Sequence, residues 1–304
     1  MSTTIIIFVL LILTMFSLLT TNGFRNRMHI IKYCSSTYRP ASSSSSSSSS
    51  RATTKATALL SLSNQHLVDG HLCNEISITL KNNISIVLLE ASAESQDKLV
   101  DIALESDDID PYGSVIWPSS IYSAEKVFEM SKALEGKVLL DVGTGTGLVA
   151  LSAALAGCQR CVALDYNIFA LKLLEKSKSL QSRSIQNIET MVFDIKNFDL
   201  RLPQADIVVF ADVLYEKDLA VAVAERVYEC CMRGSKILLV SPPHRIGRPW
   251  LMERLKELFK SDNSNKVIEG KSVTVDVAMP IRNSLIDIRG KYNTGEQEMF
   301  VLEL

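Results

Sequence analysis

Between residues 138 and 260, short and almost purely apolar runs alternate with stretches patterned as helices. The apolar runs fall at 138–143, 161–165, 190–194, 206–213 and 236–240, and the helical patterns at 148–156, 167–182, 216–232 and 250–260. A strand that is apolar throughout has no face to give to water, so it belongs in a sheet covered on both sides. Helices between the strands are the crossovers that a parallel sheet needs. After residue 260 the pattern changes: runs at 272–278 and 298–304 follow with no helix signal between them. They predict an antiparallel pair at the sheet edge, bringing the sheet to seven strands. Upstream, 76–80 and 84–89 are rich in β-branched residues and flank Lys81-Asn82-Asn83. This predicts an N-terminal β-hairpin in front of an α/β domain over 74–304. A further helix is expected over 119–134, with Ile121, Val127, Phe128 and Leu134 facing inward.

The first 60 residues do not share this pattern. Residues 5–19 are an almost unbroken apolar run. That is short of the roughly 20 residues that span a bilayer. It suits the core of a signal peptide over 1–23. The four residues before it hold no Lys or Arg, so an uncleaved membrane anchor is the alternative. Residues 24–60 are rich in Ser, include the run Ser42 to Ser50 and hold no acid, which is transit-like and disordered in composition. A signal followed by such a segment beginning at Phe24 resembles the bipartite presequence of algae with complex plastids. It implies a plastid destination and, after processing, no stable membrane insertion. The endoplasmic reticulum or secretion is the other expectation, and Asn83-Ile84-Ser85 would suit it as a glycosylation sequon.

Charge is divided in the same way. Arg25, Arg27, Lys32, Arg39, Arg51 and Lys55 precede the first acid, Asp69. The rest of the chain therefore carries 26 basic and 34 acidic residues. A body that acidic lacks the basic face of a general nucleic-acid binder. Cys158-Gln159-Arg160-Cys161 lies between a helix and a strand, with no second pair to complete a zinc site. Its thiols are expected to be structural and no metal site is expected. The chain is expected to act as a monomer.

Asp141-Val142-Gly143-Thr144-Gly145-Thr146-Gly147 ends the first strand of the domain and opens a helix. Glycines let a ligand approach the backbone closely, and doubly wound sheets bind ligands at the carboxyl ends of their strands. A dinucleotide site would read GxGxxG, yet Leu148 stands where its third glycine would be. Asp141 beside the loop would repel a pyrophosphate but would orient an ammonium. Asp165, at the end of the second strand, is placed to accept both hydroxyls of a ribose. Asp194, at the end of the third, lies where an adenine amino group would fall. The series points to S-adenosylmethionine, which carries a sulfonium and an ammonium and no phosphate.

These residues resemble the seven-stranded, Rossmann-like class I methyltransferases, over about 75–304. Gly113-Ser114-Val115-Ile116-Trp117-Pro118 ahead of the sheet, and Asp212-Val213-Leu214-Tyr215 at the end of the fourth strand, narrow the likeness. Together they are similar to the protein-lysine methyltransferase group, which includes the lysine methyltransferase of the electron-transfer flavoprotein β-subunit. The resemblance implies that Trp117 closes over the cofactor. It implies that Asp141, Gly143, Gly145 and Gly147 line its methionine end, with Asp165 at the ribose and Asp194 at the adenine. Ala211 and Asp212 would face the methyl donor, Tyr215 would flank the acceptor, and the partner would be a protein lysine. Ser241-Pro242-Pro243-His244 departs from the Asp-Pro sequence of the flavoprotein enzyme and leaves the acceptor open. A small-molecule methyltransferase and a catalytically silent binding module on the same fold are the alternatives.

Overall fold

The computed structural model describes residues 64–105, 110–262, 268–277 and 295–304. The signal peptide and Ser-rich segment expected over 1–60 lie outside the described residues.

The seven-stranded sheet is built from β4 (Val138–Val142), β5 (Arg160–Asp165), β6 (Ile188–Val192), β7 (Ile207–Ala211), β8 (Lys236–Ser241), β9 (Lys271–Val277) and β10 (Gly295–Glu303). Its order is β6-β5-β4-β7-β8-β10-β9, the expected Rossmann-like arrangement. The first five strands are parallel. Only β10 is reversed, because it pairs antiparallel with both β8 and β9. The expected antiparallel pair is therefore present, with β9 pointing the same way as the parallel strands.

Both sheet faces are buried, as apolar strands require. Leu139, Val209, Leu238 and Val240 join one core. Leu140, Val142, Val208, Phe210 and Leu239, their neighbours along the same strands, join the other, because successive side chains of a strand point to opposite faces. The first core is covered by α2 (Pro118–Glu129) and α4 (Leu148–Leu155), the second by α6 (Lys217–Met232) and α7 (Arg248–Ser261). Between α2 and β4 lies the single turn α3 (Ser131–Leu134), so the helix expected over 119–134 is two helices. Pro118 starts α2 in its first turn, where a missing N–H costs nothing.

The N-terminal hairpin is larger than expected. β1 (Gln65–Val68), β2 (His71–Thr79) and β3 (Ser85–Ala91) form a three-stranded antiparallel sheet. Asp69 and Gly70 close the first turn with φ of 51° and 80°, the left-handed pair that a two-residue hairpin demands. This sheet packs on α5 (Ile168–Lys178): Val68, Cys73 and Leu89 share a core with Phe169 and Leu173. The Leu89 N–H donates to Ser177 Oγ at 2.9 Å. Helix α1 (Ala93–Glu105) follows β3 and carried no sequence signal. Two of its four buried residues are Ser95 and Gln96, so it shows no apolar stripe.

Candidate functional site

The sheet order turns about β4, which has β5 on one side and β7 on the other. Loops leaving the carboxyl ends of β4 and β7 diverge there and open a crevice. In the turn after β4, the N–H groups of Gly143 and Thr144 both donate to the Leu164 carbonyl, at 2.8 and 2.9 Å. Gly143, Gly145 and Gly147 take φ of 73°, 52° and 85°, which favours glycine. A Cβ on Gly143 would stand 2.7 Å from Val213 Cγ1, and one on Gly147 would overlap the Leu174 side chain of α5. Gly147, expected at the methionine end of a cofactor, is thus required here by helix packing.

Asp141 is fully buried in β4. Its Oδ2 accepts from Thr144 Oγ1 at 2.6 Å and from the Ala150 N–H at 3.1 Å, tying the glycine turn to α4. Its Oδ1 is buried with no hydrogen-bond partner among the described residues. Burial, reinforced by the Asp165 charge, pushes this carboxyl up to about 7. Asp165 ends β5 and holds the same turn from the other side. Its Oδ2 accepts from the Gly145 N–H and its Oδ1 from the Asn167 N–H, both at 2.9 Å. Burial raises it to about 6. The Tyr166 backbone N–H is a third donor, and the two oxygens together still keep acceptor capacity for an incoming hydroxyl.

Asp194 is placed differently. β6 ends at Val192, so Asp194 sits in the following loop, exposed, with Oδ1 accepting from the Lys196 N–H at 2.8 Å. The described hydrogen bonds do not join it to Asp141 or Asp165. The expected row of three acids is two buried carboxylates and one on a loop. The strand stops short because Phe193 and Ile195 turn inward into the core. Arg226 of α6 then gathers the loop, donating to the carbonyls of Ile195, Asn197 and Leu200. Its guanidinium carbon lies 5.2 and 4.9 Å from the ring centres of Phe193 and Phe198.

Across the crevice, Ala211 ends β7, half-buried. Asp212 follows with φ of 62°, an uncommon conformation for a residue with a Cβ. Its N–H donates to the Val240 carbonyl at 2.9 Å. Its Oδ1 accepts from Arg245 Nε at 2.6 Å and its Oδ2 from Ser119 Oγ at 3.4 Å. The carboxylate that was expected to face the reacting groups already holds a cation. The Arg245 guanidinium lies 5.2 Å from the Trp117 ring centre. Trp117 Nε1 donates to the Tyr112 carbonyl at 2.9 Å. Buried Glu90 accepts from the Ile116 N–H at 3.2 Å, so the N-terminal sheet helps to set Trp117. Tyr215 donates its hydroxyl to Asp110 Oδ2 at 2.7 Å. Burial and the Asp110 charge hold that hydroxyl protonated well above the usual tyrosine range.

Sequence reasoning missed Asp110, Tyr112, Ser119 and Arg245. Arg245 was within reach of it: β8 neighbours β7, so a residue just past β8 falls beside Asp212. Nothing local marks Asp110, which meets the site through Tyr215, through the Tyr112 N–H at 2.8 Å and through the Asn167 side chain, whose Nδ2 donates to its carbonyl at 2.7 Å.

Residues 96–258 match a family model described as lysine methyltransferase. The human electron transfer flavoprotein beta subunit lysine methyltransferase is 26% identical over 140 residues, covering 46% of this chain and 51% of that protein. The protein N-terminal and lysine N-methyltransferase EFM7 of Kluyveromyces lactis is 25% identical over 195 residues, 56% of this chain and 70% of its own. Histone-arginine methyltransferase METTL23 of Mus musculus is 27% identical over 154 residues, 50% of this chain and 60% of its own. The chain thus spans about half the length of the first of these relatives. Among solved structures, the N-methyltransferase NodS of Bradyrhizobium japonicum WM9 in complex with S-adenosyl-l-homocysteine matches at TM-score 0.43 and 14% identity, over 69% of this chain and 97% of its own. The family match takes in more than half of the sequence, including the crevice residues from Asp110 to Arg245: the chain belongs to the lysine methyltransferase family.

Proposed function

We propose that the chain methylates a basic nitrogen of a protein, foremost a lysine ε-amine, with S-adenosylmethionine as donor. One observation carries the reading: the buried Asp141 Oδ1 lacks a donor beneath a glycine turn that Asp165 holds from the other side. An ammonium supplies that donor, whereas a phosphate beside two buried carboxylates would be repelled. The residues therefore fit this cofactor, with Asp141 and Gly143 at its methionine end and Asp165 at its ribose. Asp194 and its loop lie on the adenine side.

When bound, S-adenosylmethionine supplies a methyl group on a sulfonium; the C–S bond breaks with its electron pair to sulfur as the acceptor nitrogen forms the N–C bond. The chain's part is to position and to manage charge. A lysine acceptor with an ordinary pKa of about 10.4 arrives protonated and must shed that proton before attack. Tyr215 is no base for it, since its hydroxyl stays protonated and donates to Asp110. It serves as a rigid wall beside Asp212. The proton leaves to water as the acceptor is desolvated next to the cofactor's positive charge. The names of the relatives, which cite lysine, protein N-terminal and arginine methylation, all point to cationic protein nitrogen.

The test is incubation of the full chain with methyl-labelled S-adenosylmethionine and a plastid lysate. Label is expected in polypeptide, with mass spectrometry placing it on lysine. Label confined to small solutes would favour a small-molecule acceptor, and no calorimetric binding of S-adenosylmethionine would leave a silent module. The acid-free residues 24–60 support plastid delivery. A fluorescent protein fused behind residues 1–60 is expected in plastids, and secretion of the fusion would refute this.

A further inference from the structure

Asp212 and Arg245 differ in their access to water. The Asp212 side chain is 3% exposed and that of Arg245 13%. Arg245 stands in the loop between β8 and α7, next to the exposed Ile246. It therefore reaches the carboxylate from the solvent side.

Asp212 and Trp117 are among the groups that meet its guanidinium. Nε donates to Asp212 Oδ1 at 2.6 Å, and the carbon lies 5.2 Å from the Trp117 ring centre. A buried carboxylate beside an aromatic ring attracts a cation twice, through its charge and through the ring quadrupole. Neither half of this seat is built by Arg245. Trp117 is fixed through Nε1 to the Tyr112 carbonyl, and its chain entry through Glu90 and the Ile116 N–H. Asp212 is fixed by its own N–H to Val240 and by Ser119. The seat would outlast the departure of the arginine.

We propose that Arg245 is a gating residue that sets acceptor specificity: it fills a cation seat made by Asp212 and Trp117, and the acceptor protein docks by placing its own ammonium or guanidinium there. The idea takes from the proposed function only that the acceptor enters beside Asp212. It adds that recognition is an exchange of cations, so neutral and anionic acceptors are rejected because they offer Asp212 nothing in return for Arg245. Docking in the seat precedes the loss of the acceptor's proton. Arg245 itself is a positioning residue and takes no part in methyl transfer.

The experiment compares the wild type with Arg245→Ala, Arg245→Gln and the double variant Arg245→Ala/Asp212→Asn. Each is titrated with methylguanidinium and with n-butylammonium and followed by thermal shift, with circular dichroism as the check of folding. Arg245→Ala is expected to gain a saturable rise in melting temperature that wild type and the double variant lack. Arg245→Gln keeps a neutral donor for Asp212, which guards against an alanine variant that does not fold, and it is expected to gain the same rise at higher ligand concentration. Folded Arg245 variants that bind neither cation would overturn the gate. With a lysine peptide, Arg245→Gln is expected to lower KM with kcat unchanged, a split that a purely structural role would not produce; a raised KM would count against the proposal. Should S-adenosylmethionine fail to bind even the wild type, the proposed activity falls, while the small-cation titration still decides the gate.

Discussion

Replacing Asp141 with asparagine removes a charge while keeping the shape that holds the glycine turn, since an amide oxygen still accepts from Thr144 and Ala150. Burial raises the Asp141 carboxyl from its ordinary 3.8 to about 7, so near neutral pH the empty site is half protonated. A ligand ammonium binds only the ionised half. The ligand's α-amino group has an ordinary pKa of about 7.7–8.0, and only its protonated form is a partner. The competent fraction is the product of the two, and it peaks at about pH 7.4, where it is about one half. At pH 6 the product falls to about 0.09, and at pH 5 to about 0.01. The dissociation constant for S-adenosylmethionine should therefore rise about sixfold from pH 7.4 to 6 and roughly 50-fold to pH 5. Asp165, at about 6, steepens the fall below pH 6.

Calorimetry across pH 5–8.5, in buffers of different ionisation heat, measures both the affinity and the protons released. Asp141→Asn is expected to flatten the acid limb down to pH 6 and to leave the alkaline limb, which belongs to the ligand. A wild-type affinity that is flat between pH 7.4 and 6, or a variant whose affinity falls between pH 7.4 and 6 as steeply as the wild type's, would refute the reasoning. Stability without ligand carries the opposite sign. A folded pKa above the unfolded one means that the folded state binds more protons between about pH 4 and 7. The contribution of Asp141 to stability is greatest below pH 4 and declines as pH rises through that window, by ~4 kcal/mol at most. Asp141→Asn should remove this share of the decline and leave the smaller share that Asp165, at about 6, contributes.

Asp212→Ala removes the carboxylate that Arg245 pairs with and should cost ~2–3 kcal/mol by urea denaturation, below the figure for a fully buried pair because Arg245 reaches solvent; adding Arg245→Ala should recover part of it, giving a measurable coupling. Arg226→Met frees three carbonyls of the loop after β6. It should destabilise the fold by ~3 kcal/mol, speed hydrogen exchange at 195–200 and weaken S-adenosylmethionine binding while kcat at saturation holds. Tyr215→Phe removes the hydroxyl bonded to Asp110, which should cost ~1–2 kcal/mol and raise KM for the acceptor more than for the cofactor.

The sheet was legible because its central parallel strands β4, β5, β7 and β8 are nearly continuous apolar sequence, and two-sided burial writes itself into composition. The glycine turn and Asp165 were legible because they follow a strand end within a few residues. Strand β1 was missed although Asp69-Gly70 marks its turn, since Gln65 to Val68 is only four residues long and mostly unburied. The exact seat of Asp194 was missed because inward-turning Phe193 and Ile195 mimic two more positions of β6. Arg245 and Asp110 reach the crevice across sequence distances of 33 and 105 residues from their partners. Periodicity reports which face a residue lies on, and it carries no information on which distant loop meets that face.

The two ends of the crevice prepare for positive charge in different ways. A buried carboxylate must be compensated, by a proton or by a cation. Asp141 leaves one oxygen without a donor among the described residues, and near neutral pH a proton compensates it about half of the time. Asp212 is buried too but holds the Arg245 guanidinium, and guanidinium groups do not lose their proton in proteins. The cofactor's ammonium therefore enters by expelling a proton, and the acceptor's cation enters by displacing an arginine. Acid weakens the first exchange directly, whereas the competitor in the second stays charged throughout. A fall in activity on acidification that excess S-adenosylmethionine reverses is what this division requires; one that excess acceptor reverses would place the titrating group at the wrong end of the crevice.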